Sequence, residues 1–523
     1  MSKANIYGNW DAATVKRFKA WQTRTIVVTM IGYAIYYFVR KNFSVAMPGL
    51  TAQYGISNTS FGIVIGVGSL IYGLSRFVNG FIVDRYSSRV IMSVGLLLCA
   101  LSNFAFGFGV NISSWITGAT GGPDLINMLI LVMGITIVLN QAFQGVGYPP
   151  CARLLPSWIH PGELATKMSV WNTSHSIGAA AAVVACGYIM GSLGRDMSGD
   201  PEVIATVARN LGLDPTTSAG MQQILQYASH WDAWRWCFWI PAVIAVAGAV
   251  WLYLGLRDDP RSVGLPELPD TRTGKDSGHT PRKGERSRFL HAMVWANRWI
   301  WTLCVANVFV YVMRMGILDW GPKFLTEARG MSIEAASWSV AIFEIFAIVG
   351  TIFAGWASDH WFAGKSHRMC LVCMAGASVF MFLFIILPEI APGAPVVLSI
   401  AFLALAGFFI YGPQALIGIG AANQATKDAA ATANGLAGIF GYAGSFLSAI
   451  GVGIVADHYG WNMVFYLIIG VGVLGVITFI TMWRAPRDGY ARSQEFYLKE
   501  CNGVAETEEN FARNGGGPAS TDE

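Results

Sequence analysis

Two arginines stand inside stretches apolar enough to lie in a lipid bilayer: Arg40 in YAIYYFVRKNFSVAMPGL and Arg314 in NVFVYVMRMGILDWGPKFL. Each has a tyrosine three residues before it (Tyr37, Tyr311) and a proline eight residues after it (Pro48, Pro322). A cation within a membrane helix costs a few kcal/mol or more, so it marks a functional site by default. An arginine presents a planar fork of donors that fits phosphate oxygens two at a time. Two such forks, 274 residues apart in matching surroundings, call for an anion.

Other side chains with chemical potential surround this pair. Arg76, in LIYGLSRFVNG, either reaches the interface with its head group or faces a cavity, with Tyr72 one turn earlier on the same helical face. His175 lies in a polar patch with Asn172, Thr173, Ser174 and Ser176. A lone histidine is commonly a hydrogen-bonded core residue, but an unperturbed one titrates near neutrality and could gain charge with an anion. Tyr33, Tyr37, Tyr311 and Tyr411 carry hydroxyls into apolar runs, where most tyrosines serve packing. Acids are scarce in these runs. Glu344 is placed to pair with a nearby cation, and Asp319, near a span end, to make a salt bridge with Lys41 in the other half of the chain.

Composition sets the class. Of 523 residues, 54% are hydrophobic and 13% charged, against roughly 25% charged in a soluble chain. The apolar runs are continuous rather than alternating, so the spans are helices and not barrel strands. A net charge of +4 gives no sign of nucleic acid. The eight cysteines are scattered and read as small core residues. Without a Cys/His cluster, a Walker loop or a nucleophile–base pair, no metal, cofactor, catalytic residue or enzyme activity is expected. The polar N-terminus has no cleavable signal pattern.

Twelve apolar runs divide the chain. Residues 1–24 form a polar N-terminal segment and 25–256 a first half of six spans. A basic loop covers 257–298, a second half of six spans covers 299–484, and a polar tail, 485–523, ends in GGGPASTDE, a composition expected to be disordered. Basic residues collect in the N-terminal segment, the central loop and the short loops on the same side, which predicts cytoplasmic termini. GFIVDRYSSR (80–89) and GWASDHWFAGKSHR (355–368) repeat one another. Asp84 follows Arg40 by 44 residues, and Asp359 follows Arg314 by 45. Such duplication marks transporters with a site between the halves near mid-membrane. Asp84, Arg85, Arg89 and Asp359 would form charged corners at helix ends, biasing one conformation over another. Gly147 with Pro149 and Pro150, and Gly412 with Pro413, predict bends in the fourth and tenth spans.

The motifs YYFVRKNFSVAMP, GFIVDRYSSR, QGVGYPPC, SVWNTSHSIG, NVFVYVMRMGILDW and YGPQALIG followed by TKDAAATANG resemble those of the organophosphate:inorganic phosphate antiporters of the major facilitator superfamily, over about residues 20–490. The resemblance implies an all-α membrane fold of twelve helices in two pseudo-symmetric halves. It implies that Arg40 and Arg314 clamp a phosphate, that His175 lies in the site, and that Tyr33, Tyr37, Tyr72, Tyr311 and Tyr411 surround it. It implies exchange of an organophosphate (glycerol-3-phosphate or hexose-6-phosphate class) for inorganic phosphate in a bacterial inner membrane, with lipid as the other contact. A monomer is expected. Arg76 stands where such transporters usually have lysine, and TKDAAATANG departs from the usual run. Two alternatives accompany this reading: a transporter-like sensor of sugar phosphate, and a proton-coupled organic-anion carrier. The scarcity of buried carboxylates argues against the second.

Overall fold

The structure, a computed structural model, describes residues 10–268, 283–391 and 395–498. Among these the chain is helical apart from an isolated bridge between Arg195 and Trp231. The expected disorder of the tail end, and the basic residues Lys275 and Arg282 of the central loop, lie outside the described residues.

Ten stretches are long and apolar enough to cross a membrane. One of them, Thr432–Thr481, has 50 residues. As a single helix it would run roughly 75 Å, far beyond a ~30 Å hydrocarbon core. It is broken at Gly460, whose φ of 77° is cheap only for glycine. Counting that stretch twice, and adding α1 (Ala12–Tyr54), whose apolar part carries Arg40 and Lys41, gives twelve spans. The first half comprises α1, α2 (Asn58–Arg85), α3 (Ser88–Gly107), α5 (Gly122–Gln144), α7 (Pro161–Ser192) and α10 (Ala233–Gly255). The second comprises α12 (Arg298–Glu327), α13 (Ile333–Phe362), α14 (Ser366–Ile390) and the three spans within α15 (Val396–Thr481). Leu74, Leu101, Leu131, Ile352, Val379 and Ile439 are more than half exposed, as a lipid-facing surface requires.

Local signals set the helix ends. Asp11 caps α1 by accepting from the Thr14 N–H at 3.3 Å, so the polar residues from Ala12 onward continue the first membrane helix. Short helices α4 (Gly109–Thr117), α8 (Pro201–Leu211) and α9 (Ser218–Ala228) fill the loops on one side. On the other, α6 (Tyr148–Trp158) follows the break after Gln144, and α11 (Lys283–Leu290) precedes α12. The bend expected at Pro149–Pro150 coincides with that break. At Gly412–Pro413, where a bend is expected, the helix is not interrupted. The helix runs through Pro413, which forfeits one backbone hydrogen bond without leaving helical geometry, and the chain breaks instead at Thr426 (φ 64°) and Gly460.

The halves meet through α2 on α15, α7 on α13 and α1 on α12. A Cβ at Gly453 would fall 2.5 Å from the Asn58 carbonyl oxygen, so the backbones touch where α15 crosses the start of α2. Asp457 reaches from the second half to that helix start. Its carboxylate accepts from the Asn58 N–H (3.0 Å), the Thr59 N–H (2.7 Å) and the Thr59 hydroxyl (2.7 Å), donors that the helix itself cannot satisfy. Lys323 donates to Thr51 across the seam and to Glu327 at 2.6 Å. Trp338 Nε1 lies 3.3 Å from the Tyr188 hydroxyl. These contacts gather at one end of the molecule. There α8 and α9, anchored by Asn210 Nδ2 donating to Ala52 O (3.0 Å), border a cavity of about 350 Å³ shared with Thr326, Glu327 and Asp457.

Candidate functional site

Deeper in the seam, the two halves present a set of cations and rings. α1 leaves helical geometry at Val39 (φ −92°, ψ 15°), immediately before Arg40. The Arg40 guanidinium lies 4.0 Å from the centre of the Tyr72 ring on α2 and 5.5 Å from that of Tyr37. Arg314, on α12, is only 4% exposed, and its guanidinium lies 4.4 Å from the Tyr411 ring. Arg76 does not reach away to the interface. It lies over Tyr148 at 4.3 Å, and its Nη1 donates to the hydroxyl of Tyr442 in the opposite half at 3.2 Å. The Tyr442 ring is 5.2 Å from Tyr72 and 5.9 Å from Tyr311, so it joins tyrosines of both halves.

A second aromatic row leads to His175. Trp171 stacks on Tyr33 at 5.0 Å, Tyr33 meets Tyr37 at 5.5 Å, and Tyr37 meets the imidazole of His175 at 5.6 Å. The His175 Nδ1 pairs with the Asn172 carbonyl, which can only accept, so that nitrogen carries the proton. Nε2 is then left facing the Ser176 hydroxyl at 3.3 Å. Asn172 is exposed and enters this arrangement through its backbone.

The lysines are neutralised and the arginines are not. Lys41 Nζ lies 2.6 Å from Asp319 Oδ1, with side chains 7% and 14% exposed, and Glu327 answers Lys323. Among the described residues, no carboxylate lies within ion-pair distance of Arg40, Arg76 or Arg314. Their partners are ring faces, each contributing roughly 0.5–2 kcal/mol. Glu344 is fully buried. Its Oε1 accepts the Tyr411 hydroxyl, its Oε2 has no partner, and Arg314 Nε is likewise unpaired. Arg314, Tyr411 and Glu344 therefore form a linked set with donor and acceptor capacity unspent. With three guanidinium groups and one carboxylate, the seam carries a surplus of at least two positive charges.

The charged corners are looser than the sequence suggests. Arg89 lies over Tyr253 at 4.1 Å, and its backbone N–H donates to Asp258 at 3.0 Å. Arg85 and Asp359 are exposed, and the side chain of Asp84 lies outside the described residues. The cation holding the end of α2 is Arg153, which donates to the carbonyls of Val83 and of Tyr86 (2.6 Å). Sequence reasoning did not single out Arg153, Tyr148 or Tyr442. The available signals were a tyrosine flanked by glycines inside an apolar run (GYAG) and one abutting the double proline (YPPC).

The family model for the Major Facilitator Superfamily matches residues 29–449 and 320–500. The chain is 34% identical to the glycerol-3-phosphate transporter of Bacillus subtilis (strain 168), over 91% of this chain and 96% of that one. It is 30% identical to a probable hexose phosphate transport protein of Chlamydia pneumoniae, over 90% and 93%. A bacterial homologue of the human lysosomal transporter Spinster, crystallised inward-facing and occupied, shares the fold with a TM-score of 0.62 at 14% identity, over 88% of this chain and 96% of that one. These three are transport proteins rather than enzymes, and the chain is a multi-pass membrane protein that belongs to the Major Facilitator Superfamily.

Proposed function

We propose that the protein exchanges an organic phosphate ester for inorganic phosphate across a bacterial inner membrane, by alternating access, as a monomer in lipid. One observation carries this reading: three guanidinium groups from both halves converge on the seam with aromatic faces, and no ion-paired acid, around them. A phosphate monoester or hydrogen phosphate near neutral pH carries up to two negative charges. That matches the surplus when Glu344 is ionised. Arg40 and Arg314 clamp the phosphoryl oxygens. Arg76 and His175 flank them, and Tyr33, Tyr37, Tyr72, Tyr311 and Tyr411 shape the site. Occupancy neutralises the cations and permits the seam to close at both ends. An empty site keeps unscreened charges in a low dielectric and resists crossing. The relatives named for glycerol-3-phosphate and hexose phosphate support an ester of that size.

Loop basicity favours cytoplasmic termini; on that reading the end held by Asp457, Lys323 and Trp338 is the outer one, and it is the closed end in this conformation. Lys41–Asp319 and the Asp457 cap are then contacts that break when the outer side opens, and the corner at Arg85, Arg89 and Asp359 closes in their place. Linking Tyr188→Cys to Trp338→Cys with a short thiol-reactive bridge is expected to stop exchange while leaving phosphate binding from the inside intact. The seven described native cysteines are buried, and the eighth, Cys501, is replaced by serine in the variant to keep background labelling low. Undiminished exchange by the fully cross-linked protein would remove alternating access. A counterflow assay across a panel of esters tests the substrate class. Binding of esters without exchange would move the assignment to a sensor.

A further inference from the structure

Of the two helices that carry the clamp arginines, α1 leaves helical geometry beside its arginine, whereas α12 has helical φ and ψ throughout. Glycine and proline usually mark such breaks, yet the residue at the break is Val39, a β-branched side chain with little freedom of its own. Side chains of neighbouring helices supply the explanation. The Val39 carbonyl accepts from Asn103 Nδ2 of α3 (3.1 Å) and from Asn140 Nδ2 of α5 (2.8 Å). One turn earlier the Tyr36 carbonyl accepts from Gln144 Nε2 of α5 (2.8 Å). Asn42 fixes the orientation of Asn103 by donating to its Oδ1 at 2.7 Å, and donates also to the Cys237 carbonyl at 2.9 Å.

All four amides are buried: Asn42 and Asn103 almost completely, Gln144 at 3% exposed and Asn140 at 9%. Amides in this setting are costly unless their hydrogen bonds are made. Asn140 retains that cost in part, because its Oδ1 has no partner. Asn140 borders the same small cavity as Arg40, about 40 Å³ in volume. An apolar residue would satisfy packing there at lower cost, so the donor to Val39 is the property the position provides.

We propose that Asn103, Asn140 and Gln144 are positioning residues that hold the break at Val39 and so aim Arg40 at the phosphate. This inference rests on the reading of Arg40 as a phosphate ligand. It differs in kind from the first-half/second-half symmetry. Among the described residues of the second half the single comparable contact is the Ser448 hydroxyl on the Val312 carbonyl (3.0 Å), beside an unbroken helix.

The test uses the full-length protein, purified in detergent and reconstituted, with inorganic phosphate as the probe. Asn140→Leu, which keeps the branched side-chain shape and removes the donor, is expected to weaken phosphate binding about tenfold, the upper end of what one lost hydrogen bond gives. It should raise KM for phosphate and for an ester by the same factor, because the shared phosphoryl group is what Arg40 meets. The unfolding midpoint without phosphate should change little. Gln144→Met should shift affinity in the same direction by a smaller factor. A folded Asn140→Leu protein with unaltered affinity overturns the proposal, and so does failure of both variants to fold, since the amides would then hold the scaffold and not the aim of Arg40. Arg40→Ala separates this from the underlying reading. Retained binding there refutes the phosphate site itself. Loss there, with Asn140→Leu and Gln144→Met unaffected, refutes only the positioning.

Discussion

Arg314→Lys is expected to reduce phosphate–phosphate exchange at least about a hundredfold, and Arg40→Lys to do the same. Charge is conserved in both, so the loss isolates geometry. The Arg314 guanidinium is held over Tyr411 with Nε unpaired, and its plane is set before any ligand arrives. A lysine ammonium is a compact point charge on a flexible stem and cannot offer two parallel donors to one phosphoryl group. Hydrogen bonds to charged groups contribute roughly 1.5–3 kcal/mol each, and losing one or two of them corresponds to about ten- to about twenty-thousandfold in affinity. The stacking against Tyr411 is lost as well. Reconstituted protein loaded with phosphate and challenged with labelled phosphate provides the measurement. Exchange at the unmodified rate by Arg314→Lys would remove the two-donor clamp from the account, leaving only a diffuse positive field.

The second large effect concerns Lys41 and Asp319. Lys41 is buried and Asp319 mostly so, at 7% and 14% side-chain exposure, and they are 2.6 Å apart across the halves. Replacing Asp319 by Asn leaves a buried ammonium without its counter-ion, and breaking a buried pair in this way costs about 3–5 kcal/mol. Asp319→Asn should therefore lower the thermal midpoint of the purified protein by many degrees or push it out of this conformation. The paired replacement Lys41→Met with Asp319→Leu removes both charges and should recover most of the loss, since apolar pairs of similar volume often match buried ion pairs in stability. Thermal unfolding in detergent, run on the single and the double variant, decides the matter. Equal damage in both would mean that the pair contributes through something other than charge compensation.

What the sequence made legible follows from the physics of each feature. Twelve spans were readable because hydrocarbon demands continuous apolar runs, and the duplicated helix–corner pattern was readable because Arg40 and Arg314 have few composition-driven reasons to repeat. The Lys41–Asp319 contact could be anticipated because so few acids lie in the spans. The site's internal wiring was far less legible. Tyr442 meets Arg76, Tyr72 and Tyr311 only because α15 crosses α2, and no local pattern near residue 442 encodes that crossing. The break at Val39 has no glycine or proline to announce it and depends on amides 64 and 101 residues away. Conversely, Pro413 interrupts no helix, while Thr426, an unremarkable residue in sequence, adopts a φ of 64°. The stretch between α7 and α10, which carries no chemical motif, folds into α8 and α9, whose small apolar core of Val203, Val207, Ile224 and Ala228 closes on Ala52.

Counterflow tests exchange itself. Proteoliposomes loaded with labelled phosphate should release the label when phosphate or a phosphate ester is added outside, and retain it in a medium free of both, with neither ATP nor a membrane potential supplied. Release into phosphate-free medium at the same rate would contradict the requirement for an occupied site on each crossing.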